Sequence, residues 1–309
     1  MALSVASSLT YVYSVGQSDS LKPTLWISDL DGSNIQSITL NSVSNGIAYS
    51  VTLSSTHAYI TGQNGAGSAI LWITDLNGSN LQTITLNSTF GSTAKAVSLS
   101  STHVYTVGTT SGIPTLWISA LDGSGIQPIM LDSVGGSGFG VAISSTHVYS
   151  VGRNNAFAAT LWISALDGSG IQPIILASPV RQASTVALSS THVYVVGQNN
   201  AFRATLWITA LDGSDVQTVL LGGLLANGIS LSSTHVYSGG LNLSSKATLW
   251  ISALDGSNIQ PITLDSSATS SVFGVAIFSP PAPPKKSPSD LLIENLNKYR
   301  TLVPLQGTL

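Results

Sequence analysis

An all-β, six-bladed β-propeller with four-stranded antiparallel blades, followed by a Pro-rich C-terminal tail ending in a short helix, is the fold this sequence predicts. Three observations predict it. The six Trp residues fall at 26, 72, 117, 162, 207 and 250, a period of 43 to 46 residues. Around them the sequence repeats almost verbatim, as STHVYTVG from Ser101 and STHVYSVG from Ser145, and as LWISALDGS from Leu116, Leu161 and Leu249. Within each unit Val, Ile, Thr, Tyr and Trp gather in four short runs between turn signals, with no helical period. Four-stranded units of this length stack face to face around an axis and leave only short edges. A right-handed parallel β-helix, the competing architecture, has shorter coils and lacks hairpin turns.

The unit from Val186 to Leu221 shows each element in order. VALSS is strand A, THVYVVG strand B and TLWITAL strand C. LDGS then carries Asp-Gly, a hairpin signal because Gly tolerates positive φ. Strand D follows, as in IQPITL from Ile259. After the sixth strand D comes SVFGVAIFS from Ser271, nearly a copy of SGFGVAISS from Ser137. The propeller is therefore assigned residues 1–279, with the strand at 272–278 predicted to close blade one. Val275–Ile277 would lie beside Val12–Gly16, in preference to residues 3–7, where Ser7 replaces the usual Leu or Ile. Residues 280–288 read as a Pro-rich linker. Residues 289–309 read as a short amphipathic helix and tail. Ser287, Pro288, Ser289 and Asp290 form a capping box, and Leu292, Leu296, Tyr299 and Val303 recur at helical spacing as the docking face.

LWITDLNGSNLQTITL, from Leu71, resembles the third and fourth strands of a TolB-type propeller blade, LW-x-x-D-x-DG-S. The LDGS segment is also similar to that of YWTD-type six-bladed propellers. Strand B departs from the latter, reading HVYVVG, and the A–B turn is Ser-Ser-Thr where TolB-type blades carry Ser-Pro-Asp-Gly. The resemblance implies a fold and no activity, because propellers host many unrelated functions.

Composition narrows the function classes. Of 309 residues 43% are hydrophobic and only 7% charged, with ten Lys plus Arg against thirteen Asp plus Glu. A net charge of −3 does not imply a nucleic-acid or other polyanionic partner, and none is expected. Zero Cys excludes a disulfide framework, a thiolate metal site and a cysteine nucleophile. No apolar run of about 18 residues is present, so no membrane insertion is expected. Residues 1–16 lack the basic segment of a standard secretory signal. The compartment is left open, with Ser/Thr-rich loops leaning to a surface or particle-associated protein. The only Glu is Glu294, in the tail, so the carboxylate metal cage of propeller lactonases cannot be built. The Ser-x-Asp-x-Gly-x-x-Trp boxes of sialidases are missing as well. The expectation is a non-catalytic protein with no cofactor and no metal.

Strand parity sorts the rest. The A–B and C–D turns, nearly invariant between copies, belong on one face of the disc; the B–C and D–A loops, which vary, belong on the other. All six propeller cations, Lys22, Lys95, Arg153, Arg181, Arg203 and Lys246, are assigned to the variable loops, with Asp19, Asp132 and Asp265. The opposite face carries Asp29, Asp31, Asp75, Asp122, Asp167, Asp212, Asp215 and Asp255 without a base. Those cations, with Phe90, Phe157 and Phe202, are the candidate binding residues for a protein partner or self-assembly; a multivalent glycan-binding propeller is the alternative. His57, His103, His147, His192 and His235 share one repeat position at the start of strand B. They are assigned a repeated structural hydrogen bond to the backbone or to a carboxylate near the C–D turn. Trp26, Trp72, Trp117, Trp162, Trp207 and Trp250 are assigned inter-blade packing, with sugar stacking as the functional rival.

Overall fold

The computed structural model describes residues 2–8, 10–178 and 181–264. The chain divides into two compact units, Met1–Ile277 and Phe278–Leu309, and the described residues all belong to the first. They form six four-stranded antiparallel sheets, each in the order A-B-C-D. Blade one is Ala2–Ser7, Tyr11–Gln17, Pro23–Asp29 and Gln36–Thr39; blade two is Ile47–Leu53, His57–Gln63, Ala69–Asp75 and Gln82–Asn87. The remaining A strands, Thr93–Leu99, Ser137–Ile143, Gln182–Leu188 and Gly223–Leu231, touch the A strands of adjacent blades and so are innermost. No helix long and apolar enough to cross a membrane occurs among the described residues.

Burial explains the strand sequences. Between their end residues, strands B and C of the middle blades are buried throughout, because blades cover both sides. Such strands read as continuous apolar runs rather than alternating ones. Strand D is the exposed rim, and in blades one, three, five and six it has only four residues. Short edges limit pairing with other chains. In the C–D turn the Asp122 carboxylate accepts the Ser124 amide at 2.9 Å and its hydroxyl at 2.6 Å, while Gly123 sits at φ +79°. Those two bonds, the hydroxyl first, hold its carboxyl below the usual range. Two residues past each of these glycines the chain needs positive φ again, met by Asn34, Asn80, Gly125, Gly170, Asp215 and Asn258. These are the residue types that tolerate the left-handed region.

Among the described residues, five hydrophobic clusters hold the blades together, one for each junction from blades one and two to blades five and six. In each, the Trp of the later blade packs on the strands B and C of the earlier one. Trp72, Trp117, Trp162, Trp207 and Trp250 are at most 1% exposed. The junction of blades six and one differs. Trp26 and Val12, on the side of blade one equivalent to the buried faces elsewhere, are only partly buried. So are Tyr237, Leu249 and Ile251 on blade six, although their counterparts Tyr194, Leu206 and Ile208 are buried.

The predicted closure is corrected. Ala2–Ser7 pairs antiparallel with Tyr11–Gln17, with Ser7 opposite Val12 and Ala2 opposite Gly16, and Pro23–Asp29 takes the other edge. No edge of Val12–Gly16 is left for Val275–Ile277. Backbone hydrogen bonds set the pairing, which the Ser7 departure therefore does not prevent. The strand 272–278, the linker 280–288 and the helix with Leu292, Leu296, Tyr299 and Val303 lie outside the described residues.

Every A–B pair also carries a β-bulge near the start of strand A, at Leu3, Tyr49, Lys95, Phe139, Ser184 and Asn227. A bulge inserts one residue opposite none and bends its strand. It brings a backbone carbonyl of strand A against a glycine of strand B. A Cβ on Gly108 would lie 1.9 Å from the Thr93 carbonyl oxygen, and one on Gly152 2.0 Å from that of Ser137. The repeated Val-Gly of strand B is therefore a clearance requirement.

Candidate functional site

The loops assigned to one face by parity are bonded to one another. The Asn45 amide donates to the Leu21 carbonyl at 2.7 Å and the Arg181 amide to the Phe157 carbonyl at 2.6 Å, each joining a D–A loop to a B–C loop. On the opposite face the Leu76 amide donates to the Thr56 carbonyl at 3.3 Å, joining a C–D to an A–B turn.

The variable-loop face exposes apolar side chains: Leu21, Val43, Phe90, Val134, Phe157, Phe202 and Leu243, with Phe90 84% exposed. Other exposed apolar residues lie along the rim, such as Met130 and Leu220 on strand D, and at the C–D turns of the opposite face, such as Leu30, Ile35 and Leu81. Phe157 and Phe202 occupy the fourth position of a five-residue B–C turn at positive φ, 56° and 58°, as Leu21 and Ser245 do in blades one and six. Blade two places Gly67 there. A left-handed conformation costs an L-residue with a large side chain about 1–2 kcal/mol. Strain of this kind accumulates where function requires it.

The cations are not distributed as the sequence suggests. Arg181 stacks on Phe202, with its guanidinium carbon 3.0 Å from the ring centroid, and Arg153 lies 5.2 Å from the Phe157 centroid. Arg153, Phe157 and Arg181 line one cavity of about 70 Å³ with Gln182 and Gln198. Arg203 is exposed outside this group, and Lys22, at the end of its turn, and Lys246 are part-buried in blades one and six.

Arg153, which ends strand B, and Lys95 are corrections to the loop assignment, and Lys95 lies in strand A. The bulge turns it toward the neighbouring inner strand, and its ammonium stands 3.4 Å from the Tyr49 ring centroid. Burial lowers its pKa to about 8. Because the unfolded chain holds this proton up to about pH 10.4, it binds more protons than the fold between pH 8 and that value. Stability then rises with pH across the window. The gain is expected in wild type and missing in Lys95→Met, read from urea midpoints at pH 7 and pH 10; equal gains in both proteins would place the titration elsewhere.

The histidines form a repeated device of a different kind from the one expected. In all five copies the Thr before the His bonds its ring Nδ1 at 2.7–2.8 Å. Each ring also meets the Tyr two residues on, with centroids 6.2–6.3 Å apart. Among the described residues only His57 approaches a carboxylate, Asp75 at 3.5 Å, because strand C ends in Ala120, Ala165, Ala210 or Ala253 where the other histidines stand. Among the described residues no three His, Asp or Glu side chains gather where they could hold a metal ion. The five buried Trp rings have no face open for stacking a sugar.

Two wide clefts open on the conserved-turn face. One of about 1120 Å³ lies between blades one and two, lined by Tyr11, Tyr13, Asp29, Asn34, Gln36 and Asn77 among others. A cleft of about 640 Å³ occupies the equivalent place between blades two and three.

The chain is thus a six-bladed β-propeller with a strained, cationic and aromatic loop face. No protein-family model matches it, and no curated protein matches it in sequence. Among solved structures, a chain in the crystal structure of a mitotic checkpoint complex is similar, with a TM-score of 0.65 and 14% identity over 85% of this chain and 78% of that one. At that identity the likeness shows the fold.

Proposed function

We propose that the propeller is a non-catalytic binding module that engages a protein partner through its variable-loop face, with the segment after the propeller as a second attachment. The observation that carries this reading is the pair of exposed phenylalanines, Phe157 and Phe202, held at positive φ beside Arg153 and Arg181. Aromatic and arginine side chains supply most of the energy of protein interfaces. Nothing in the fold needs a phenylalanine at these turn positions, because Gly67 makes the same turn in blade two. That the similar solved chain belongs to a protein complex fits this reading. The blades extend the TolB-type pattern of their C and D strands.

The test separates stability from binding. Phe157→Gly with Phe202→Gly is expected to leave the melting temperature no lower than wild type, since the left-handed strain is relieved. Partner affinity, measured with the purified partner recovered on the wild-type propeller, is expected to fall about 30-fold or more, as for a hot-spot loss of about 2 kcal/mol. Unchanged affinity would remove this face from the interface. A second reading, a glycan ligand, is favoured by the large cleft between blades one and two, whose Tyr11, Asp29 and Asn34 could present a ring edge and hydrogen-bonding groups. A glycan array probed with wild type and Asn34→Gly, which keeps the turn, tests it; an array without hits rules it out.

A further inference from the structure

Near-identical blades serve as one another's controls. In blades one, two and five a Gln at the end of strand B reaches across the junction to a carbonyl at the start of the next strand A. Gln17 donates to Gly46 at 2.9 Å, Gln63 to Ser92 at 3.0 Å and Gln198 to Leu224 at 2.8 Å. Blades three and six carry Thr109 and Leu241 at this place. Blade four alone carries a charge there, Arg153, and the residue facing it in the register of Gly46 and Ser92 is Arg181.

A neutral clamp has therefore become two guanidinium groups lining one cavity. The Nε atoms of both arginines are buried and have no hydrogen-bond partner among the described residues. Neither forms an ion pair among the described residues; Asp132, the acid of this loop cluster, instead accepts the Asn155 amide at 3.4 Å. Stacking on Phe157 and Phe202 covers the guanidinium faces and leaves their in-plane N–H groups to be satisfied. Two like charges with buried, unanswered donors are costly unless an anion meets them. The cavity, about 70 Å³, is several times the roughly 10–15 Å³ that one water needs. That volume has room for a compact oxyanion.

We propose that the junction of blades four and five holds a carboxylate or phosphate group, presented by the protein partner, between Arg153 and Arg181. The proposal rests on the reading of this face as the binding surface, and it adds the chemistry of the residue recognised there. An arginine pair with bidentate geometry selects for planar or tetrahedral oxyanions.

The full chain, without partner, is titrated with inorganic phosphate and separately with acetate while the arginine Nε–H resonances are followed by NMR. The Arg153 and Arg181 signals are expected to shift saturably with at least one anion. Phosphate binding points to a phosphoryl group, acetate binding alone to an acidic side chain. Arg153→Gln with Arg181→Ser restores residues that other blades already carry, so the fold is retained. In it, anion affinity measured by calorimetry is expected to fall at least about tenfold, as for loss of a charge-assisted hydrogen bond. Resonances that ignore both anions, or equal affinity in the double variant, overturn the proposal. Because no partner is present, that failure is separate from failure of the face itself, which the Phe157→Gly, Phe202→Gly pair reports.

Discussion

Trp72→Ala is expected to destabilise the propeller by about 3–5 kcal/mol, the cost of emptying a large buried aromatic site, whereas Trp26→Ala costs less than half as much. The two tryptophans sit at the same repeat position in adjacent blades and differ in what covers them. Trp72 is fully buried in the cluster formed with Tyr13, Val15 and Leu25 of blade one. Trp26 occupies the equivalent position toward blade six and is only partly buried. The penalty grows with the volume of the cavity left behind, and a half-open site leaves little enclosed volume, so the same deletion should separate the two junctions. Urea denaturation of both variants reads the difference as a shift in midpoint at constant slope. Equal losses would show that blade one and blade six are joined as tightly as the other five pairs.

This contrast is one that identical sequences conceal. The period of the tryptophans, the Asp-Gly turns and the apolar B and C runs are enough to derive six four-stranded blades and the parity of their loops. Hairpin connections alternate strand direction whatever the side chains do, so face assignment follows from counting turns. Ring closure does not follow. Residues 3–7 and 272–278 are both copies of strand A, and composition cannot rank two copies of one element. Pairing of Ala2–Ser7 with Tyr11–Gln17 rests on backbone hydrogen bonds, to which Ser7 is as good a contributor as Leu.

The candidate site divides in the same way. Arg153, Phe157, Arg181 and Phe202 are each legible in the sequence as variable, cationic or aromatic loop residues. Their pairing is not, because stacking of Arg181 on Phe202 joins a D–A loop to a B–C loop 21 residues later. A column-by-column comparison of the repeats holds the missing signal, with Arg153 in a column otherwise of Gln, Thr and Leu. Lys95 escapes a parity argument because a bulge breaks the two-residue alternation from which strand ends are read. Strand parity puts the histidines beside the C–D turn, but the hydroxyl of the preceding Thr is nearer than any carboxylate except at His57.

The bulge also sets the second large effect. Gly108→Ala is expected to cost at least about 3 kcal/mol, at or beyond the upper end of ordinary overpacking, while Gly125→Asn is expected to be nearly neutral. Reading propensity alone would reverse the order, because Gly108 lies in a strand, where Ala is the better residue, and Gly125 lies at φ +64°. Space decides instead. The Cβ of an alanine at 108 would stand 1.9 Å from the Thr93 carbonyl oxygen and 2.9 Å from the Ala94 Cα. Both atoms belong to backbone pinned by the strand pairing at the Lys95 bulge, so neither can swing aside as a side-chain tip would. At Gly125 nothing lies within 4 Å, and Asn34, Asn80 and Asn258 already hold the same left-handed position in blades one, two and six. Thermal melts of the two variants decide between the accounts. A mild Gly108→Ala would mean that strand A slips its bulge to admit the methyl group, and Lys95 would then leave the Tyr49 ring, which the Lys95 titration would register as a return toward its ordinary pKa.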